Sequence, residues 1–231
     1  MYSANYPDIL LNNIEYNPEL VSANTDYKIR FAFTANDRYD YEEYESLLNS
    51  AIREFRHSRF YTQYKSYLYS LGIDRCAFHP NITSDIADLE MHHCILNIYD
   101  IAILITEHIL NTTGYLTEFD LAEYLQQEHV LNNIPIVFLC KTCHQSYHHR
   151  YLYINPNQIF GQWWILMDKY KQGWNRDLLE KLSRYLQRGL DDKTYTRNEY
   201  LMKLRDDILS WADNRGVMIN ELNIKNTEDE R

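Results

Sequence analysis

Apolar and polar residues alternate along this chain in two distinct rhythms, and the change from one to the other marks its elements. From Tyr41, apolar side chains recur at helical spacing (Tyr44, Leu48, Ala51, Phe55), and a second stripe (Phe60, Tyr64, Tyr67, Leu68, Leu71) starts near Ser58 and meets a stop at Gly72. Residues 98–109 and 118–129 read as further helices separated by Gly114. A two-residue rhythm appears at 27–33 and again at 87–93, where Leu89 and Met91 alternate with Asp88 and Glu90, the pattern of half-buried strands. The continuous apolar run 134–139 suits a strand buried on both faces.

Beyond Arg150 the pattern is helical to about Asn214. Ile159, Trp163, Leu166 and Tyr170 form one stripe, ending near Gly173. Leu178, Leu182 and Leu186 form another, with Lys181, Arg184 and Arg188 on a separate face and Gly189 as the expected stop. Thr196 and Glu199 make a capping box that opens a last helix carrying Tyr200, Leu204, Ile208 and Trp211. Residues 220–231 are polar and acidic. The expected organisation is a mainly helical region over 1–75, a small α+β core over 76–150 with helices at about 97–131, and a helical region with a polar tail over 151–231.

Composition narrows the class. With 231 residues, 45% hydrophobic content and a mean hydropathy of -0.54, the chain can bury a core and is expected to be soluble. Its most apolar stretch, 95–105, is short and interrupted by Asn97 and Asp100, so no membrane partner is expected. The first residues lack the basic and apolar runs of an export leader, which makes the cytoplasm the expected compartment. Four cysteines in that setting point to metal ligands or free thiols rather than disulfides. The net charge of -10 opposes nucleic-acid binding, yet residues 150–205 hold 11 Lys and Arg against 6 Asp and Glu.

The chemistry gathers between 76 and 150. Cys140-x-x-Cys143 is half of a tetrahedral zinc site, and Cys76-x-x-His79 has the matching spacing, giving a Cys₃His set for structural Zn²⁺. Directly after the knuckle, His144 and His148 stand four apart and share a helix face, so both imidazoles can point at one ion. Upstream, Leu89-Glu90-Met91-His92-His93 ends a strand in paired histidines. Strict alternation sends His92 and His93 to opposite faces; both can serve one site only if the strand ends or twists there. Cys94 lacks partner spacing and is expected to pack as a small apolar group.

In these two runs the chain resembles the HNH (ββα-metal) endonucleases of the phage-encoded type, over about a third of its length. The resemblance implies a ββα-metal core with a structural zinc knuckle, embedded in a mainly α-helical chain, with 97–131 a helical insertion where that family has a short loop, and the host cytoplasm as the compartment of a phage-encoded chain. It also implies hydrolysis of DNA phosphodiester bonds, leaving 5′-phosphate and 3′-hydroxyl ends. Carried over residue by residue, it makes His92, His144 and His148 ligands of a catalytic divalent cation, Mg²⁺ or another, and His93 the general base. His149 is an alternative ligand should the helix rotate. The middle Asn of that family falls on Pro135 here, so Asn133, or its neighbour Asn132, is expected to fill the role.

DNA is the implied partner, and Arg150 with Lys181, Arg184 and Arg188 is the expected phosphate-contacting face; the alternative is an ordinary solvated helix face. The competing function is a catalytically inactive zinc module of the same shape, kept for DNA binding or protein assembly. A zinc deaminase also uses Cys-x-x-Cys, but it needs a His-x-Glu and a Pro before the first knuckle cysteine, and Leu139 occupies that place.

Overall fold

The computed structural model describes residues 32–191 and 199–219. Most of the strand expected at 27–33, the capping threonine Thr196 and the tail 220–231 lie outside the described residues, as does the side chain of Arg188. The described chain is mixed α+β, mostly helical, with two small two-stranded sheets.

The elements run β1 (Phe33–Thr34), α1 (Tyr41–His57), α2 (Arg59–Ser70), β2 (Leu89–His93), α3 (Ile98–Thr112), β3 (Tyr115–Leu116) and α4 (Glu118–Val130). There follow β4 (Ile136–Cys140), α5 (Lys141–His148), α6 (Trp163–Lys169), α7 (Arg176–Asp191) and α8 (Glu199–Asp213). Caps explain the boundaries. The Asp40 carboxylate accepts from the backbone N–H of Glu42 and Glu43 to open α1, and the Ser58 hydroxyl accepts from Tyr61 to open α2. Asn97 with Asp100, and Thr117 with Asp120, form reciprocal capping boxes at the starts of α3 and α4. α7 runs through Gly189 to Asp191 rather than stopping at the glycine.

Helix α1 turns Leu48, Ala51 and Phe55 inward and packs on α4 and α3. The segment between the two motif halves therefore supplies the central helical layer. Within it, the wholly buried Glu128 of α4 is fully partnered. It accepts from the Lys169 ammonium, from the Tyr170 hydroxyl at 2.7 Å and from the Asn133 amide at 2.7 Å.

The second sheet carries the chemistry. β2 and β4 pair antiparallel, with Glu90 opposite Leu139, His92 opposite Val137 and His93 opposite Ile136. All five β4 residues are buried, as the unbroken apolar run requires. On its other edge Ile136 bridges Phe160, next to Gly161 at φ +107°. A Cβ at that glycine would stand 2.1 Å from the Ile134 carbonyl oxygen, so only glycine permits the approach. α5 follows β4 without a loop and packs back on both strands, setting its histidines over the end of β2.

Candidate metal centres and an adjoining basic cavity

The turn carrying Cys76 and His79 is tied to β4 by the Ala77 N–H, which donates to the Phe138 carbonyl at 3.0 Å. This brings Cys76, His79, Cys140 and Cys143 together, with one donor atom of each within 4.8 Å of the others. The His79 Nδ1 lies 3.2, 3.8 and 4.0 Å from the sulfurs of Cys143, Cys140 and Cys76. Bond lengths of ~2.3 Å to sulfur and ~2.05 Å to nitrogen around a tetrahedral ion imply sulfur–nitrogen edges of about 3.6 Å. The observed distances bracket that value, so the group can hold a metal such as zinc.

The thiols themselves feel the crowding. Burial and the neighbouring Cys140 and Cys76 sulfurs push Cys143 up to about 12. Burial also raises Cys76, but N–H donors from Cys140, Phe78 and His79 outweigh it and bring that thiol down to about 7. A bound cation would relieve the repulsion among three sulfurs. Cys94, by contrast, is packed as expected, its thiol 3.8 Å from the Tyr147 hydroxyl and pushed up to about 12 by burial.

On the outer face of the same sheet, His92 meets His144 and His148. The His144 Nε2 is 3.2 Å from His92 Nδ1 and 3.1 Å from His148 Nε2, and all three donor atoms lie within 4.8 Å of one another. Three nitrogens around a tetrahedral ion at ~2.05 Å stand about 3.3 Å apart, so the two short separations already fit. Glu90 completes the arrangement. Its carboxylate lies 2.6 Å from His144 Nδ1, which must carry the proton, leaving Nε2 as a lone pair aimed at the other two rings. Burial, with His144 and His148 alongside, holds His92 down to about 4, and burial lowers His144 despite Glu90. Both rings are therefore neutral at neutral pH, the form that binds metal.

Glu90 was missed in the sequence, although its signal was present: residues 90 and 92 stand two apart on one strand and face the same side.

His93, expected as general base, is a correction. The strand stays paired with β4 through His93, opposite Ile136, so alternation wins and His93 turns into the core, only 6% exposed. Its Nε2 is 3.0 Å from His129 Nε2, and His129 Nδ1 is 2.6 Å from the Leu125 carbonyl. A carbonyl only accepts, so His129 is protonated on Nδ1 and its Nε2 accepts from His93. Burial depresses both rings, His129 to about 4. A buried imidazole committed in this way cannot take a proton from a water on the outer face. His129 itself, 36 residues away, had no spacing to betray it.

Asn133 is a second correction: it is buried and its amide donates to the buried Glu128 carboxylate. Asn132 adopts φ 59° and its carbonyl accepts from the Gln162 N–H, so it too serves the loop. His149, the alternative ligand, caps the end of α5 outside the three-histidine group.

The expected phosphate face is reached only in part. Arg150, Lys181 and Arg184 all line one cavity of about 480 Å³ beside His148. Lys181, however, is paired with the buried Asp100 carboxylate, which neutralises it. No helix of the described residues is long and apolar enough to cross a membrane.

Neither a curated protein nor a solved structure matches the chain. The matching family model covers residues 4–227, nearly its whole length, and describes a virion protein. That match overturns the identification with HNH endonucleases, which rested on two short runs within a third of the chain. The chain belongs to the Bacteriophage G278-like virion protein family.

Proposed function

We propose that this virion-family protein hydrolyses phosphodiester bonds in DNA in a metal-dependent reaction at His92, His144 and His148. One observation carries the reading. Three imidazoles converge on the outer face of the sheet, one of them fixed in its tautomer by Glu90, with the exposed His148 at the solvent side. A structural metal site is closed by four protein ligands, as the Cys76, His79, Cys140 and Cys143 group is; a three-histidine set leaves a position open for water or substrate.

A divalent cation held there would supply Lewis-acid stabilisation of the charge that builds on the phosphate. The chain's own part is to hold and orient. The zinc knuckle anchors the start of α5, the β2–β4 pair sets His92, and Glu90 keeps His144 facing the others. With His93 buried, no fourth imidazole of the described residues joins the group, and the attacking water must lose its proton to solvent or to the substrate. The inward His93 and the net charge of -10 favour a second reading, an inert zinc-stabilised module for particle assembly.

Nicking of supercoiled plasmid with Mg²⁺, Mn²⁺ or Zn²⁺ separates the two. Hydrolysis requires metal-dependent cutting of the plasmid or of single-stranded circular DNA that His148→Ala removes. A wild-type protein that leaves both DNAs intact under all three ions supports the assembly module instead.

A further inference from the structure

The cavity beside the three-histidine group is the least expected surface of an acidic protein. It is bounded by the C-terminal end of α5, the segment after it and α7, and its lining includes His148, Arg150, Tyr151, Tyr153, Arg184 and Tyr185. No carboxylate is among the described residues that line it. Its volume of about 480 Å³ lies within the ~300–1,000 Å³ of small-ligand sites.

We propose that this cavity holds one unpaired nucleotide of a single-stranded nucleic acid, so that the adjoining phosphodiester meets His92, His144 and His148. The inference rests on the hydrolytic reading above and names its substrate class.

Placement is the first argument. Arg150 follows α5 in a left-handed conformation, φ 62°, with its N–H donating to the Tyr147 carbonyl at 2.9 Å. That turn puts a guanidinium two residues beyond His148, and Arg184 of α7 lines the same cavity. Two guanidiniums lining one cavity suit phosphate oxygens, which they bind bidentately. Arg150 has no ion-pair partner among the described residues, whereas Lys181 on the same rim is held by Asp100. Arg150 therefore carries charge that a phosphate would meet, with Arg184, whose Nε donates to the Glu180 carbonyl at 3.3 Å, in the same lining.

Aromatic content is the second argument. Tyr153 and Tyr185 contact each other at 5.6 Å between ring centres, and the Tyr185 hydroxyl donates to the Ile154 carbonyl at 2.9 Å. This pair forms a fixed wall. Tyr151 is 82% exposed at the rim, a ring available for stacking. Tyrosine faces are reached by an unstacked base, not by one inside a duplex. The surrounding charge gives the third argument. A duplex presents dense phosphate along its length to a protein of net charge -10, while a single nucleotide needs only this local basic patch.

Fluorescence anisotropy of the full chain tests the proposal, with a fluorescein-labelled phosphorothioate oligothymidylate and a phosphorothioate duplex as probes. The single strand should bind at least about tenfold tighter than the duplex. Arg150→Glu and Arg184→Glu should each weaken it about tenfold and reduce the salt slope by up to about one unit per lost phosphate contact. Tyr151→Ala, at an exposed position that cannot upset folding, should weaken it about fivefold or more without changing the slope. Equal binding of strand and duplex, or unaltered affinity in all three variants, would overturn the nucleotide site. Cleavage of ordinary oligonucleotides is measured in parallel. Cleavage that survives both arginine reversals overturns this inference and leaves hydrolysis standing. Selective single-strand binding without cleavage overturns hydrolysis and supports the nucleotide site.

Discussion

Replacing Glu90 with Gln is the sharpest structural perturbation of the three-histidine group, because it alters no ligand. The carboxylate sits 2.6 Å from His144 Nδ1, and its side chain is 44% exposed while that of His144 is 24% exposed. A carboxylate in this position does two things: it fixes the proton on Nδ1 and it makes Nε2 a better donor to metal. Glutamine can keep the first through its amide oxygen but loses the second, and a neutral acceptor bonds about half as strongly as a charged one. Outer partners of this kind are worth about 10- to 100-fold in metal affinity. Half-exposure and water screening place Glu90 at the low end, so Glu90→Gln should weaken binding about tenfold, or ~1.4 kcal/mol. Isothermal titration with Zn²⁺ or Mn²⁺ reads this directly, on protein whose knuckle metal has been counted by elemental analysis. Equal affinity for wild type and Glu90→Gln at equal knuckle occupancy would refute the bracing role.

Three other outcomes follow from the geometry. Cys143→Ser should lower both the metal content and the melting temperature, because a closed site couples binding to folding; a metal-free wild type with the same melting curve would contradict it. Glu128→Ala strands the buried Tyr170 hydroxyl and Asn133 amide and should cost about 2–4 kcal/mol in chemical denaturation, while a loss below ~1 kcal/mol would show the network to be dispensable. His129 is held neutral to about pH 4 when folded, against about 6.5 when unfolded, so the unfolded chain takes the proton first as pH falls. Its contribution is whole above about pH 6.5 and should be lost at up to ~1.4 kcal/mol per pH unit below it, with His93 acting in the same direction; a His129→Phe variant with the same pH profile would refute this.

Much of the arrangement was legible where short-range rules govern it. Helical periodicity placed α1 and α2 and their junction at Ser58, and the apolar run 134–139 became β4. Cysteine and histidine spacing identified the four residues of the knuckle and the i, i+4 pair His144 and His148, while His92 was joined to that pair only by the resemblance. What failed was a choice between a local rule and a borrowed one. Strand alternation already sent His93 away from His92, but the family resemblance assigned it to the site, and the pleat prevailed. Contacts distant in sequence left no local trace. His129 meets His93 from 36 residues away, Asn133 answers to a carboxylate that burial hides, and Lys181 is captured by Asp100 from 81 residues away. The same applies to the family: the two catalytic-looking runs are short and lie within a third of the chain, whereas the match to virion proteins covers residues 4–227.

The most direct measurement of the hydrolytic function is cleavage of a labelled single-stranded oligonucleotide as a function of divalent metal, with occupancy of the second metal site measured on the same samples. The rate should rise in step with that occupancy and vanish in His144→Ala, although the Cys76, His79, Cys140 and Cys143 site keeps its metal. A protein with the second site filled that leaves both single strand and duplex uncut would contradict it.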